Sequence, residues 1–233
     1  YKKEALEKAP DDWKAWRDLG DLQRRLKSWT DAEASYRKAI ELEPVNPTLK
    51  MNLGNLTLNK HDDQISVLRA ALKASPADAQ AKARLAQAEK ARWEFAAQDF
   101  AWRVKEHPTD MTVRFDFGEA LYRSGRTREA IAEFQISVKD QKRKNASLLR
   151  MGECFRKEGQ LDLAVKQYER ALEDLGSMTD TKKAVLYAKG DIHEKLGQLA
   201  EARKTWDELY EADINYRDIA KRLEALAAKA KGA

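Results

Sequence analysis

Three histidines, one cysteine and two Asp-Asp pairs are the residues of this 233-residue chain whose types could do chemistry. A structural or catalytic metal needs two or more His, Cys or carboxylate ligands at helical or loop spacing. His61 and His107 fall in or beside expected turns and His193 inside an expected helix, with no second His or Cys nearby. Asp191 and Glu194 do not complete a metal motif with His193. Cys154 stands two residues after Gly152 on the apolar side of its helix, where a thiol acts as a small buried hydrophobe. Asp11-Asp12 and Asp62-Asp63 sit at expected helix starts, where a carboxylate accepts from exposed N–H groups; they read as caps, not as acid/base pairs. No Gly-rich phosphate loop or Ser/His/Asp spacing occurs, and the sequons at Asn55 and Asn145 fall in expected helices. The expectation is a chain with no catalytic residue, no cofactor and no bound metal.

The elements that would position these side chains follow a period near 34 residues. Leu19-Gly20, Phe117-Gly118 and Met151-Gly152 each precede a small residue at a fixed distance: Ala32, Ala130 and Ala164. An aromatic follows four residues later (Tyr36, Phe134, Tyr168), then a small residue (Ala39, Ser137, Ala171), and Pro44 ends the first unit. Small residues opening the second helix recur at Ala32, Gln64, Ala96, Ala130, Ala164 and Ala202, with gaps of 32, 32, 34, 34 and 38. A period of this length marks a solenoid whose units bury their apolar faces against each other.

This pattern resembles the tetratricopeptide repeat family over nearly the whole chain. The resemblance implies an all-α, right-handed superhelical solenoid of antiparallel helix pairs. Residues 1–9 read as the end of a preceding repeat entered part-way, so the chain is expected to be a fragment. Residues 10–212 read as six repeats, the second and third degenerate, and 213–233 as a C-terminal capping helix. The stretch from Trp206 through Leu223 is also similar to the tails of many bacterial members.

Repeats four to six carry Gly125, Gly159 and Gly197 in the turn between their helices, where positive φ is needed. The second and third repeats are two residues short there. The turn of the second is expected around Asn59-Lys60-His61-Asp62. That of the third, near Ala91-Arg92, lacks Gly and Asn, so either a tight turn forms or the two helices partly merge. Trp93, Phe95, Phe100 and Trp102 follow it. The longest gap has its insertion at Gly176–Asp180, and Tyr216–Lys229 reads as a final helix with one polar side.

In the family the first helix of each repeat lines a concave groove, and its outward positions contact ligand. By register these positions include Arg17 and Arg24 in repeat one, Asn55 in two, and Phe115, Glu119, Tyr122 and Arg123 in four. They include Glu153 and Arg156 in repeat five, and Tyr187 and Asp191 in six. Such faces are often only solvated helix surface laced with local ion pairs, but Phe115, Tyr122 and Tyr187 are not explained by local pairing. A peptide or protein carrying both charge signs is the expected partner. Chaperone-binding members hold a terminal carboxylate with a Lys and an Asn on the first helix. Arg17 and Asp21 stand there instead, and an aspartate would repel that ligand.

Charge decides little more. Lys and Arg number 44 against 39 Asp and Glu, and segments 1–50, 51–110, 111–180 and 181–233 carry +1, +1, +1 and +2. A nucleic-acid binder gathers its cations on one face. Here the one cluster of note is Lys139, Lys142, Arg143 and Lys144. The alternatives to a peptide-binding scaffold are a nucleic-acid-binding helical repeat and an accessory module of a larger protein with an upstream domain. No apolar run approaches the roughly 20 residues needed to span a bilayer. Localisation is not legible.

Overall fold

The structure, a computed structural model, describes residues 10–231 and divides into two compact units at Thr109–Asp110. The expected end of an earlier repeat, residues 1–9, lies outside the described residues. All regular structure among the described residues is helical.

The first unit holds α1 (Trp13–Arg25), α2 (Trp29–Leu42), α3 (Pro47–Ala74) and α4 (Ala79–Glu106). The second holds α5 (Met111–Arg123), α6 (Thr127–Ser137), α7 (Lys144–Lys157), α8 (Leu161–Glu173), α9 (Asp180–Lys195), α10 (Leu199–Ala212) and α11 (Ile219–Lys231). Asp12, Asn46, Asp78, Asp110 and Thr179 cap α1, α3, α4, α5 and α9 by accepting from N–H groups in the first turn. Asp12 thus has the expected role.

Within each short pair the sequence period becomes a packing rule. The glycine of the first helix faces the aromatic sixteen residues later on the second: Gly20 with Tyr36, Gly118 with Phe134, Gly152 with Tyr168, Gly190 with Trp206. A Cβ at Gly20 would stand 2.8 Å from the Tyr36 ring, and one at Gly118 2.7 Å from Phe134. The aromatics Tyr36, Phe134 and Trp206 are fully buried in return. Each turn between these helices holds one residue at positive φ: Gly125, Gly159 and Gly197, with Lys27 (φ 57°) in the first pair.

The second and third repeats depart from this. The turn expected at Asn59–Asp62 does not form, because α3 runs unbroken through it for 28 residues. At Ala91-Arg92 the helices merge, and α4 also runs for 28. The physical reason is local. Two missing residues leave no room for the turn, and a non-glycine residue at positive φ is strained, whereas continuing the helix keeps its backbone hydrogen bonds. The six expected hairpins are therefore not all present, and α3 and α4 pack on each other as one long pair. Asp62-Asp63, expected as a cap, lies inside α3: Asp62 pairs with Arg92 at 2.9 Å and Asp63 with Lys27 at 2.5 Å. His61 is likewise mid-helix, with its ring 6.0 Å from that of Phe95.

The long pair also changes what meets the glycine. A Cβ on Gly54 would collide with Asp99 and Arg103 of α4 instead of an aromatic. Those two form a buried ion pair at 2.6 Å. Arg103 also donates to the Met51 carbonyl at 3.2 Å and to Asn55 Oδ1 at 2.8 Å. Lys50 lies over the Trp102 ring at 4.1 Å and Arg92 over Trp93 at 3.8 Å, so the α4 aromatics serve the α3/α4 contact and its flank.

Candidate functional site

The first helices of the second unit, α5, α7 and α9, repeat one arrangement. Three residues before each glycine stand Phe115, Leu149 and Tyr187, all half-buried; one residue after it stand Glu119, Glu153 and Asp191. An apolar row therefore runs beside an acidic row. Helical geometry demands this, since i and i+4 share a face.

The acidic row is held by cations of neighbouring helices. Glu119 meets Arg123 at 3.0 Å and Arg150 of α7 at 2.6 Å. Arg150 also reaches Glu153 at 2.7 Å. Asp191 meets Lys195 at 2.8 Å, Arg222 of α11 at 3.0 Å and Arg156 of α7 at 3.9 Å. Burial works to raise the Asp191 pKa, but the bonds from Lys195 and Arg222 outweigh it and hold the carboxyl below its ordinary value. Arg150 and Arg222 were not among the residues picked from the sequence. Their signal is faint: Arg150 lies three residues before Glu153, and Arg222 belongs to a helix read only as a cap.

The aromatic members have unequal surroundings. Tyr122 is half-buried with Lys157 of α7 at 5.1 Å from its ring centroid, and burial raises its pKa. Phe115 leans on the buried Phe134, ring centroids 5.5 Å apart, with Arg143 over its ring at 5.2 Å. Tyr187 is engaged by the C-terminal segment. Its hydroxyl donates to Asp218 at 2.5 Å, Arg217 and Arg222 lie 4.8 and 5.0 Å from its ring, and Tyr216 packs edge-on at 6.0 Å.

Between α7 and α9 lies an open hollow of about 350 Å³. Leu149, Ala184, Val185 and Ala188 give it an apolar floor, with Glu153 and Asp180 at its rim. The α9 contributors recur at helical spacing, a stripe that was present in the sequence but unmarked by any aromatic. Cys154 is buried and its thiol is pushed up to about 12 by burial, which removes it as a nucleophile.

In the first unit the picked residues are dispersed. Arg17 pairs with Asp18 at 2.7 Å and lies 5.5 Å from the Trp13 ring, Arg24 stands 3.8 Å from Asp21, and Asn55 is bound to Arg103.

Helix pairs joined by positive-φ turns, each with a glycine seated under an aromatic, define a helical-repeat protein. The chain belongs to the tetratricopeptide repeat family: two family models of that description match it, one over residues 1–47 and 115–177 and the other over 184–213. Residues 48–114, outside these matches, contain the merged helices. No curated protein matches the sequence. Among solved structures the chain is similar to YrrB, described as a TPR protein with an unusual peptide-binding site. That likeness has a TM-score of 0.57 at 18% identity, covering 100% of this chain and 98% of the other. It is also similar to the C-terminal part of a TPR repeat-containing protein from Cytophaga hutchinsonii (TM-score 0.56, 15% identity, 94% and 90% covered). A third is the MamA protein (TM-score 0.53, 17% identity, 88% and 95% covered). At such identities the likeness is one of fold. Repeats of this family build scaffolds for protein interaction, and the chain has that general character. No described helix is long and apolar enough to cross a membrane.

Proposed function

We propose that the second unit binds a peptide segment of a protein partner on the face formed by α5, α7 and α9. The observation that carries this is the hollow floored by Leu149, Ala184, Val185 and Ala188, which lies between the first helices of successive repeats. An apolar side chain of the partner fills it, and Tyr122 and Phe115 extend the contact. Glu119 and Asp191 are each held by more than one cation, so charge contributes less affinity than orientation. A segment with both charge signs suits the mixed charges of Glu153, Arg156 and Lys157 better than a uniformly acidic one. No catalysis is part of this role.

The experiment is partner binding by the double variant Tyr122→Ala/Arg156→Ala and by Leu149→Asp, with helicity monitored. If Tyr122 and Arg156 are anchors, the double variant loses about 2–4 kcal/mol in total. Unchanged affinity in both variants would remove the site from this face. A binding constant falling steeply with salt, with nucleic acid as competitor, would replace this reading with phosphate recognition.

A further inference from the structure

The outer half of the α3/α4 pair, residues 61–92, buries little of its own surface. Its buried residues are Ile65 and Ala88. Leu68, Leu72 and Leu85 stay half-buried, and Val67 is 64% exposed. A helix pair cannot bury its apolar stripe alone, and in a repeat protein a third helix normally covers it.

Its two sides differ. On one, Asp62–Arg92 (2.9 Å) and Arg69–Glu89 (2.6 Å) tie the helices together across Ile65 and Ser66. On the other lies a groove of about 330 Å³ with Leu68, Ala88 and Ala91 as its floor and Gln64, Gln87 and Arg84 as its rim. His61 closes one end, and burial lowers its pKa, so it is neutral at pH 7. Arg84 is then the single formal charge lining the groove, and it makes no ion pair among the described residues.

The spacing says what fits. Positions 61, 64 and 68 of α3 and 84, 87, 88 and 91 of α4 each form one straight stripe about two turns long. Alanines on the floor let a helix axis come close, as in ridge-and-groove packing. The backbone on both sides is helical and satisfied, so it offers no edge to an extended strand. We propose that this side of the α3/α4 pair is a docking groove for an amphipathic helix of a protein partner, whose apolar residues cover Leu68, Ala88 and Ala91 and whose carboxylate pairs with Arg84. None of its residues is among those proposed on α5, α7 and α9.

The test uses the whole chain and two synthetic helical peptides of about twenty residues, long enough for several turns. Both carry leucines at i, i+3, i+4 and i+7; one borders them with Glu, the other with Lys. Fluorescence anisotropy should show the Glu-bordered helix binding at least roughly tenfold tighter than its twin. Arg84→Glu, an exposed change that leaves folding intact, should reverse that order. Leu68→Asp should abolish binding of both, and Tyr122→Ala in the other unit should change neither. Equal affinities, no binding of either helix at millimolar concentration, or loss of binding in Tyr122→Ala would overturn the proposal. So would dimerisation, seen by sedimentation, that Leu68→Asp or Arg84→Glu abolishes, because a second copy would then be the cover.

Discussion

The α7/α8 pair and the α3/α4 pair share an apolar-Gly step in their first helix and end as different structures. Met151-Gly152 lies mid-way along a 14-residue helix, which is followed by a turn at Gly159 and a return that seats Tyr168 against Gly152. Leu53-Gly54 lies in a 28-residue helix with no return, and Gly54 receives Asp99 and Arg103 from the following repeat. Two residues of turn decide whether a helix packs on its own repeat or on the next. Once the turn is lost, the glycine's neighbour changes from an aromatic ring to a buried ion pair, and the interior there becomes polar.

That contrast predicts where each region breaks. Arg103→Ala leaves Asp99 buried without its cation and Asn55 and the Met51 carbonyl without a donor. The expected loss is about 3–5 kcal/mol, read from denaturant midpoints, because an uncompensated buried charge is severe. Replacing both with apolar residues, Asp99→Leu with Arg103→Met, should restore most of it. A small effect of Arg103→Ala would mean that water reaches the cluster. In the second unit the corresponding glycines Gly118, Gly152 and Gly190 face aromatic rings, and the sensitive change is steric. Gly152→Ala forces a Cβ into the Tyr168 ring and should cost about 1–3 kcal/mol through overpacking. Wild-type stability in that variant would show that the ring has room to shift.

Backbone substitutions sharpen the comparison at about 1 kcal/mol each. Lys60→Gly, at an exposed site inside α3, should destabilise by about 1 kcal/mol, because Gly is a poor helix interior residue. If a turn were present at 59–62, the same change would stabilise it. Gly159→Ala should cost a similar amount for the opposite reason, since its φ of +76° suits Gly and strains Ala.

Most of the helical repeat was legible in residues whose role is local and whose spacing is fixed: Gly20 with Tyr36, Gly118 with Phe134, and the turn glycines. The continuity of α3 was not, because Asn59 is an acceptable helix end and nothing in the sequence weighs a shortened turn against a longer helix. Asp99 and Arg103 sit four apart, a spacing shared by many exposed helix pairs, and their burial depends on where α4 lands. The candidate site was legible as rows on α5, α7 and α9. Its occupancy was not: Tyr187 is taken up by Asp218, Arg217 and Arg222, about thirty residues away in a segment with weak patterning. The hollow at Leu149 was missed as a hollow because alanines carry no signal until their neighbours are placed.

The smallest expected effect separates the units by pH. Burial raises the Asp99 pKa, against the lowering influence of Arg103 and Lys50, so its folded value lies above the unfolded one. Between those values the native state binds more protons, and this group adds stability as pH falls through that window. Asp191 behaves oppositely. Its folded pKa lies below the unfolded value, so its contribution is complete above the unfolded pKa and is lost as pH falls through the folded one. Acidification from neutral pH toward about pH 3, below the ordinary Asp pKa, should therefore weaken amide protection around α9 and α11. Over the upper part of that range, protection where α3 meets α4 near Gly54 should hold or rise. Asp191→Asn should flatten the acid loss in the second unit, and Asp99→Asn should remove the gain in the first. Parallel loss in both regions, unaltered by either substitution, would show that overall charge repulsion governs the response and that the two carboxyls do not titrate with opposite sign.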